Sequence, residues 1–325
     1  MKIENIKYNS FDEFLNDLLL PKGQLTNKLD GFIFRGERTN RFKLLPGALR
    51  EDQIDKLYGA GKPIDNQSQW LTWQVNAEYT LLREFYKISN FNGLKVPKVD
   101  AISKNYIDVF PSELIHQNTT FKWISDDIAE LAALAQHYGV LTRLIDWSYE
   151  LYVALYFACI GAIRQREKTK YEENDTMVIW ALNAYYIQFL QPTVSRIPLN
   201  FIVPAYHDNP NLNAQKGVLS YWEIDVPGML EQVKELEQGL VRITDRTPLD
   251  KLLQKYCDVN PEKNPELTIL YKLELPVSEC IAVYDFLRRT GYTAAKLFPD
   301  YNGVVKDMEE MALVYRVKDM IKAEQ

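Results

Sequence analysis

The stretch LAALAQHYGVLTRLIDWSYELYVALYFAC, residues 131–159, decides how this chain folds. Its first part continues a helix begun at Ser125, a good N-cap residue. Asp126 and Asp127 favour the positive end of the macrodipole, and Ile128, Leu131 and Leu134 form an apolar stripe. Gly139 then releases the chain. VLTRLID alternates, which sets Leu141, Arg143 and Ile145 on one face of a strand and Val140, Thr142, Leu144 and Asp146 on the other. Asp146-Trp147-Ser148 reads as the beginning of a second helix, with Asp or Ser available as its cap. From about Tyr149 to Ile163 that helix is apolar almost all round, which predicts a central, buried position.

Working outward, Phe11, Phe14, Leu15 and Leu18 keep helical spacing behind an N-cap at Ser10, and Pro21 and Gly23 end that helix. GFIFRGE reads as a short buried strand with Arg35 at its end. LTWQVNAEYTLLREFYKIS returns to helical periodicity, whereas residues 91–124 read as a long surface excursion. TMVIWAL and LTILYKLEL are core strands by pattern. Pro276 opens a helix running toward Arg289 with Gly291 as its stop, and residues 303–325 form an amphipathic C-terminal helix. No repeat or composition break marks a boundary. The expectation is therefore one α+β domain over residues 1–325, a single mixed-sheet core with helical elaborations.

With 325 residues, 46% hydrophobic and 25% charged, the composition is that of a globular protein. The net charge of −6 argues against sequence-blind nucleic-acid binding as the whole activity. Charge is uneven, however: seven Lys or Arg against two Asp or Glu lie between Pro21 and Arg50. Such a patch suits a phosphate-bearing ligand, or is simply a solvated basic face. Cys159, Cys257 and Cys280 have no metal-ligand or disulfide-framework spacing, which fits a reducing compartment. The N-terminus lacks a signal-peptide pattern, and no apolar run reaches the roughly 18 residues of a membrane span. A cytoplasmic protein with no membrane association is expected.

Phosphate-loop, dinucleotide-fingerprint and nucleophile-elbow motifs are absent. Three histidines (His116, His137 and His207) cannot build a His-rich metal site, and no metal is expected. Four candidate stretches remain, of which AAKLFPDYNGVV reads mainly as turn chemistry at Phe298-Pro299-Asp300 and Asn302-Gly303. In FIFRGE, the Arg35 guanidinium suits a bidentate contact with phosphate or carboxylate, and Gly36 lets backbone or ligand come close. The competing role for Arg35 is an internal ion pair with an acid such as Asp146. QHYGVLTRLIDWS crowds His137, Tyr138, Thr142, Arg143, Asp146 and Ser148 into a dozen positions. In NLNAQKGVLSYWEI, Gln215 precedes a strand and can aim an amide at a ligand.

FIFRGE, LAQHYGVLTRLIDWSYELYVALYFA, NAQKG and LFPDYNGV follow one another in the order of the FRG-domain family, which takes its name from a Phe-Arg-Gly motif, here Phe34-Arg35-Gly36. The resemblance covers roughly residues 25–305. It departs at Leu141, where Pro is common, and at Glu150-Leu151, where a Pro often precedes the helix. More loosely, the order of Arg35, LTRLIDWS with the following ALYFA, and Gln215 resembles ADP-ribosyltransferases of the Arg-Ser-Glu type. Those enzymes carry a Glu in their third motif where this chain has Gln215-Lys216-Gly217.

The resemblance implies an ADP-ribosyltransferase-like fold and NAD as co-substrate. Cleavage of the nicotinamide–ribose bond passes through an oxocarbenium-like sugar. Arg35 would bind a phosphate or the ribose face, Thr142 or Ser148 would orient the ribose, and Tyr138 would stack on nicotinamide. Asp146 or Gln215 would hold the acceptor or offset positive charge, with His137 as general base. The expected function is an NAD-dependent ADP-ribosyltransferase-like toxin or anti-phage defence effector. Its acceptor would be nucleic acid, RNA included, or protein, and a neutralising antitoxin would be its partner. Two alternatives stay open: a metal-independent ribonuclease with His137 as base and Arg35 and Arg143 on the phosphate, and a non-catalytic binding module.

Overall fold

The computed structural model describes residues 1–60, 65–104, 119–172, 174–193, 196–204, 206, 209–260 and 266–324. His116, His207 and the middle of the 91–124 excursion lie outside them. The strands are β1 (Lys2–Lys7), β2 (Phe32–Glu37), β3 (Phe121–Trp123), β4 (Ile145–Ser148), β5 (Thr176–Asn183), β6 (Leu199–Ile202), β7 (Gly217–Trp222), β8 (Ile224–Val226) and β9 (Thr268–Pro276). The helices used below are α1 (Phe11–Leu18), α2 (Leu71–Phe91), α3 (Asp126–His137), α4 (Leu151–Arg166), α5 (Pro210–Gln215), α6 (Cys280–Arg289), α7 (Ala294–Leu297) and α8 (Tyr301–Glu324).

Seven strands form one mixed sheet in the order β1-β9-β5-β2-β4-β7-β6, while β3 and β8 make a separate two-stranded ribbon. Among the described residues only the β1–β9 pair is parallel. The α+β expectation thus holds, with a mixed sheet core and helices packed against it. β1 was not foreseen. It is a mostly uncovered edge strand whose order comes from its ladder with β9, some 265 residues away in sequence, so KIENIK carries little periodic signal.

The two core helices sit as their patterns require. Ser10 caps α1 through a bond from the Glu13 amide (3.2 Å). Ser125 occupies the N-cap position of α3 but makes no side-chain cap bond. Gly139 ends α3 with φ +88°, and the Val140 amide bonds back to the Ala135 carbonyl at 3.0 Å. α4 is buried on nearly every side, as its apolar circumference predicts, between the sheet and α6 and α8.

The stretch joining α3 to α4 departs from its pattern. The strand covers only Ile145–Ser148, and residues 140–144 are loop. Side chains replace the missing ladder there: Thr142 Oγ1 accepts from the Leu144 amide (3.1 Å), and Arg143 pairs with Glu78. Asp146 and Ser148 accordingly lie in β4 rather than at a helix start. Ser148 Oγ still accepts from the Glu150 amide (2.9 Å) and holds the turn into α4.

Gly36 belongs to packing. A Cβ there would sit 1.8 Å from the Ala154 carbonyl oxygen, so α4 presses backbone-close on β2. The obstacle is backbone, which no rotamer change relieves. Gly36→Ala is expected to cost about 3 kcal/mol or more, the upper end of overpacking penalties. A urea-denaturation midpoint equal to the parent's would refute this close contact. No described helix is long and apolar enough to cross a membrane.

Candidate functional site

β2 and β4 are neighbours in the sheet, yet their register contains a single pair, Phe34↔Ser148. Beyond that pair the strands part, and the gap is spanned by Arg35. Its NH1 donates to the Asp146 carbonyl oxygen at 3.0 Å and lies 3.6 Å from the Asp146 carboxylate. Its Nε and NH2 both reach Glu37 Oε1 at 2.8 Å. Arg35 and Glu37 are two residues apart on one strand, hence on one face. Burial opposes the charge on Arg35, but Glu37 and Asp146 outweigh it and raise the pKa above its ordinary value. The guanidinium is permanently cationic, and its side chain is still 20% exposed. The internal ion pair and the ligand-facing role are therefore compatible.

Two cavities meet at this residue, and both are lined by Arg35 and Asp146. One, of about 280 Å³, is bounded by Phe34, Gly36, Trp147, Ser148, Val153, Ala154, Phe157 and Gln215. It is apolar along α4 and polar at its rim. The other, of about 270 Å³, is bounded by the 45–47 segment, Arg50, Gln136, residues 139–142, Leu144 and Ile145. A chain of side-chain bonds forms the shared wall. Thr142 Oγ1 bonds Gln136 Oε1, Gln136 Nε2 donates to Asp146 Oδ1 (2.7 Å), and Asp146 faces Arg35. Asp146 has 65% of its side chain exposed, so this carboxylate is fixed by its neighbours yet open to a ligand.

Gln215 ends α5, and the left-handed Lys216 (φ 47°) turns the chain directly into β7. Its Nε2 donates to the Leu297 carbonyl (3.1 Å), so its Oε1 is the end without a partner among the described residues. Ser148 Oγ donates to the Gln215 carbonyl (2.7 Å) and so pins this loop to β4. Phe157 meets Phe298 edge-on at 6.4 Å, which carries the apolar wall toward the LFPD turn. There Asp300 Oδ1 accepts from the Gly303 amide (2.7 Å), the turn role its sequence suggests.

Residues 30–168 match the family model of the FRG domain. The chain carries an FRG domain. No curated protein and no solved structure matches the chain. The FRG segment supplies Arg35, Glu37, Gln136, Thr142, Asp146 and Phe157, and Gln215 and Phe298 close the cleft from beyond it.

The residues expected to share a ligand do not all gather. Arg143 is only 4% exposed and makes a two-point contact with Glu78 (2.7 and 2.8 Å). The same carboxylate accepts from Trp123 Nε1 and Gln74 Nε2, each at 2.8 Å. Arg143 thus lines neither cavity at Arg35, and the expectation that it joins Arg35 on a phosphate does not hold. Tyr138 is exposed and stacks against Phe85 of α2 (6.5 Å), outside both cavities. His137 ends α3 with its ring edge-on to Tyr138 at 5.1 Å, and its imidazole makes no hydrogen bond among the described residues. Burial lowers its pKa below the ordinary value, against the opposing pull of Asp146, so the imidazole is neutral at pH 7.

Glu37, Gln136, Phe157 and Arg50 were not singled out from sequence. Glu37 had a usable signal: an acid two positions after an Arg on a buried strand is on the same face and pairs with it. Gln136 had none, because its role arises only where distant segments meet, and Arg50 was marked only as the end of the basic stretch from Pro21. Among the described residues no three His, Cys, Asp or Glu side chains cluster as a metal site.

Proposed function

We propose that the cleft at the β2–β4 gap binds NAD and that the protein is an ADP-ribosyltransferase-like enzyme. The observation that carries this reading is Arg35: a buttressed, permanently charged fork shared by an apolar cavity and a polar one. NAD has the matching parts, a flat ring, an anionic bridge and a second nucleoside, and its glycosidic bond supplies a leaving group.

Arg35 orients the substrate by gripping the anionic bridge, and the Phe157–Val153 wall takes a ring out of water. Asp146 and the Gln215 Oε1 line the rim of the apolar cavity, where a carboxylate and an amide oxygen offset positive charge developing on the sugar. Thr142 and Ser148 act through others: Thr142 steadies Gln136, and Ser148 holds the Gln215 loop. His137 lines neither cavity, but it is neutral and follows the cavity-lining Gln136 directly, which makes it the candidate proton acceptor for a group attacking from the rim. The ribonuclease alternative is weakened by the engagement of Arg143 with Glu78. A toxin or anti-phage defence role, the nucleic-acid or protein acceptor and a neutralising partner belong to the same proposal.

The test is incubation of folded protein with labelled NAD and with RNA, DNA or lysate protein. Release of nicotinamide or label transfer is expected; neither, from a sample shown to be folded, rejects the reading. Expression of the active chain is expected to arrest growth, and His137→Ala to relieve it. If His137 accepts the proton, the rate stays level above pH 6.5 and falls in acid with a midpoint below that ordinary value, because the lowered pKa keeps the imidazole neutral further down. A midpoint above pH 6.5 in the pH–rate profile removes His137 from the mechanism.

A further inference from the structure

We infer that Arg50 is a second anion anchor, and that the cleft takes a ligand whose two halves are joined by a pyrophosphate. This deepens the NAD reading by assigning the polar cavity, and it rests on that reading for the identity of the ring. The starting observation is that the guanidinium groups around the cleft are engaged, apart from one. Arg35 has Glu37 and Asp146, and Arg143 has Glu78. Arg246 is spent on the Leu49 carbonyl (2.8 Å) and Gln74 Oε1 (3.0 Å). Arg50 donates only its Nε, to the Leu45 carbonyl at 3.0 Å. Its two terminal nitrogens have no partner among the described residues, yet they belong to a side chain that lines the polar cavity.

The Nε bond fixes the plane of the guanidinium without using its outer edge, the edge that grips a phosphate in a two-point contact. The backbone beneath it is also held: the Ala48 amide donates to the Thr142 carbonyl (3.0 Å), which ties the Arg50 segment to the wall bearing Gln136 and Asp146. Arg35 therefore stands where the cavities meet, and Arg50 lines only the polar one. A single phosphate would satisfy Arg35 alone. Two linked phosphates give each guanidinium an oxygen edge and leave the ligand's halves in separate cavities. This also gives a use to part of the basic excess between Pro21 and Arg50. Arg41 in the same stretch is instead neutralised by Asp175 (2.7 Å) and Glu172 (2.6 Å).

The experiment is calorimetric titration of the full chain with inorganic pyrophosphate and, separately, with NAD. Arg50→Gln, Arg50→Lys and the charge-matched control Arg41→Gln are compared with the parent, each first shown to be folded by its thermal transition. Arg50→Gln is expected to weaken pyrophosphate and NAD about tenfold or more, the effect of losing a charge-assisted two-point contact. Arg50→Lys is expected to recover part of that loss, and Arg41→Gln to stay within about twofold of the parent, as a remote surface charge should. Parent protein that does not bind pyrophosphate overturns the inference. So does an Arg50→Gln loss no larger than that of Arg41→Gln. Should pyrophosphate binding depend on Arg50 while nicotinamide is never released, the anion site stands and the transferase reading fails.

Discussion

Arg35→Lys is expected to leave the protein folded while nicotinamide release falls by about a hundredfold or more. That is the scale set by removing a positioned charge-stabilising group from an active site. Lysine keeps a cation for Glu37 but loses the planar fork that meets Glu37, the Asp146 carbonyl and a ligand at once. Arg35→Ala should behave differently. It strands the largely buried Glu37 carboxylate, and breaking one side of such a pair costs about 3–5 kcal/mol. Activity and thermal denaturation measured on both variants separate the two roles. An Arg35→Lys protein that turns over at the parental rate would remove Arg35 from ligand binding, whatever the alanine variant does.

The second large effect lies away from the cleft. Glu78→Gln leaves the Arg143 guanidinium buried with no counter-charge, and it weakens the bonds from Trp123 and Gln74 to the same carboxylate. The expected cost is again about 3–5 kcal/mol. For a chain of this size that lowers Tm by roughly 4–7 °C. Pyrophosphate affinity measured well below the transition should be unchanged, because neither residue lines the cavities at Arg35. Replacing both members together, Glu78→Leu with Arg143→Met, is expected to regain much of the lost stability, since well-packed apolar pairs often substitute for buried ion pairs. A Tm within a degree of the parent for Glu78→Gln would contradict a buried, interlocked pair.

These two arginines show where sequence reading succeeds and where it stops. Both lie in conspicuous motifs, and both looked suited to a phosphate. One faces a cleft because β2 and β4 part after Phe34↔Ser148, and the other is consumed by an acid 65 positions earlier in the chain. Nothing local distinguishes the two. Asp146 and Gln215, by contrast, stood out in the sequence as polar residues of candidate stretches, and both line the apolar cavity with Arg35. Thr142 and Ser148 were legible as polar residues of the same wall, but their hydroxyls are spent on Gln136 and on the Gln215 carbonyl.

What the sequence determined by itself is the set of elements with strong local periodicity. The aromatic strand around Phe32–Glu37, the helix ending at Gly139, the all-apolar α4, the core strands β5 and β9 and the amphipathic α8 all carry their burial pattern in neighbouring residues. Only the tertiary structure decided the edge strand β1, the shortening of β4 and the allocation of each polar side chain to a partner or to open space. The reason is physical. A buried charge takes the nearest compensating group, and that group comes from whichever distant segment the packing brings beside it.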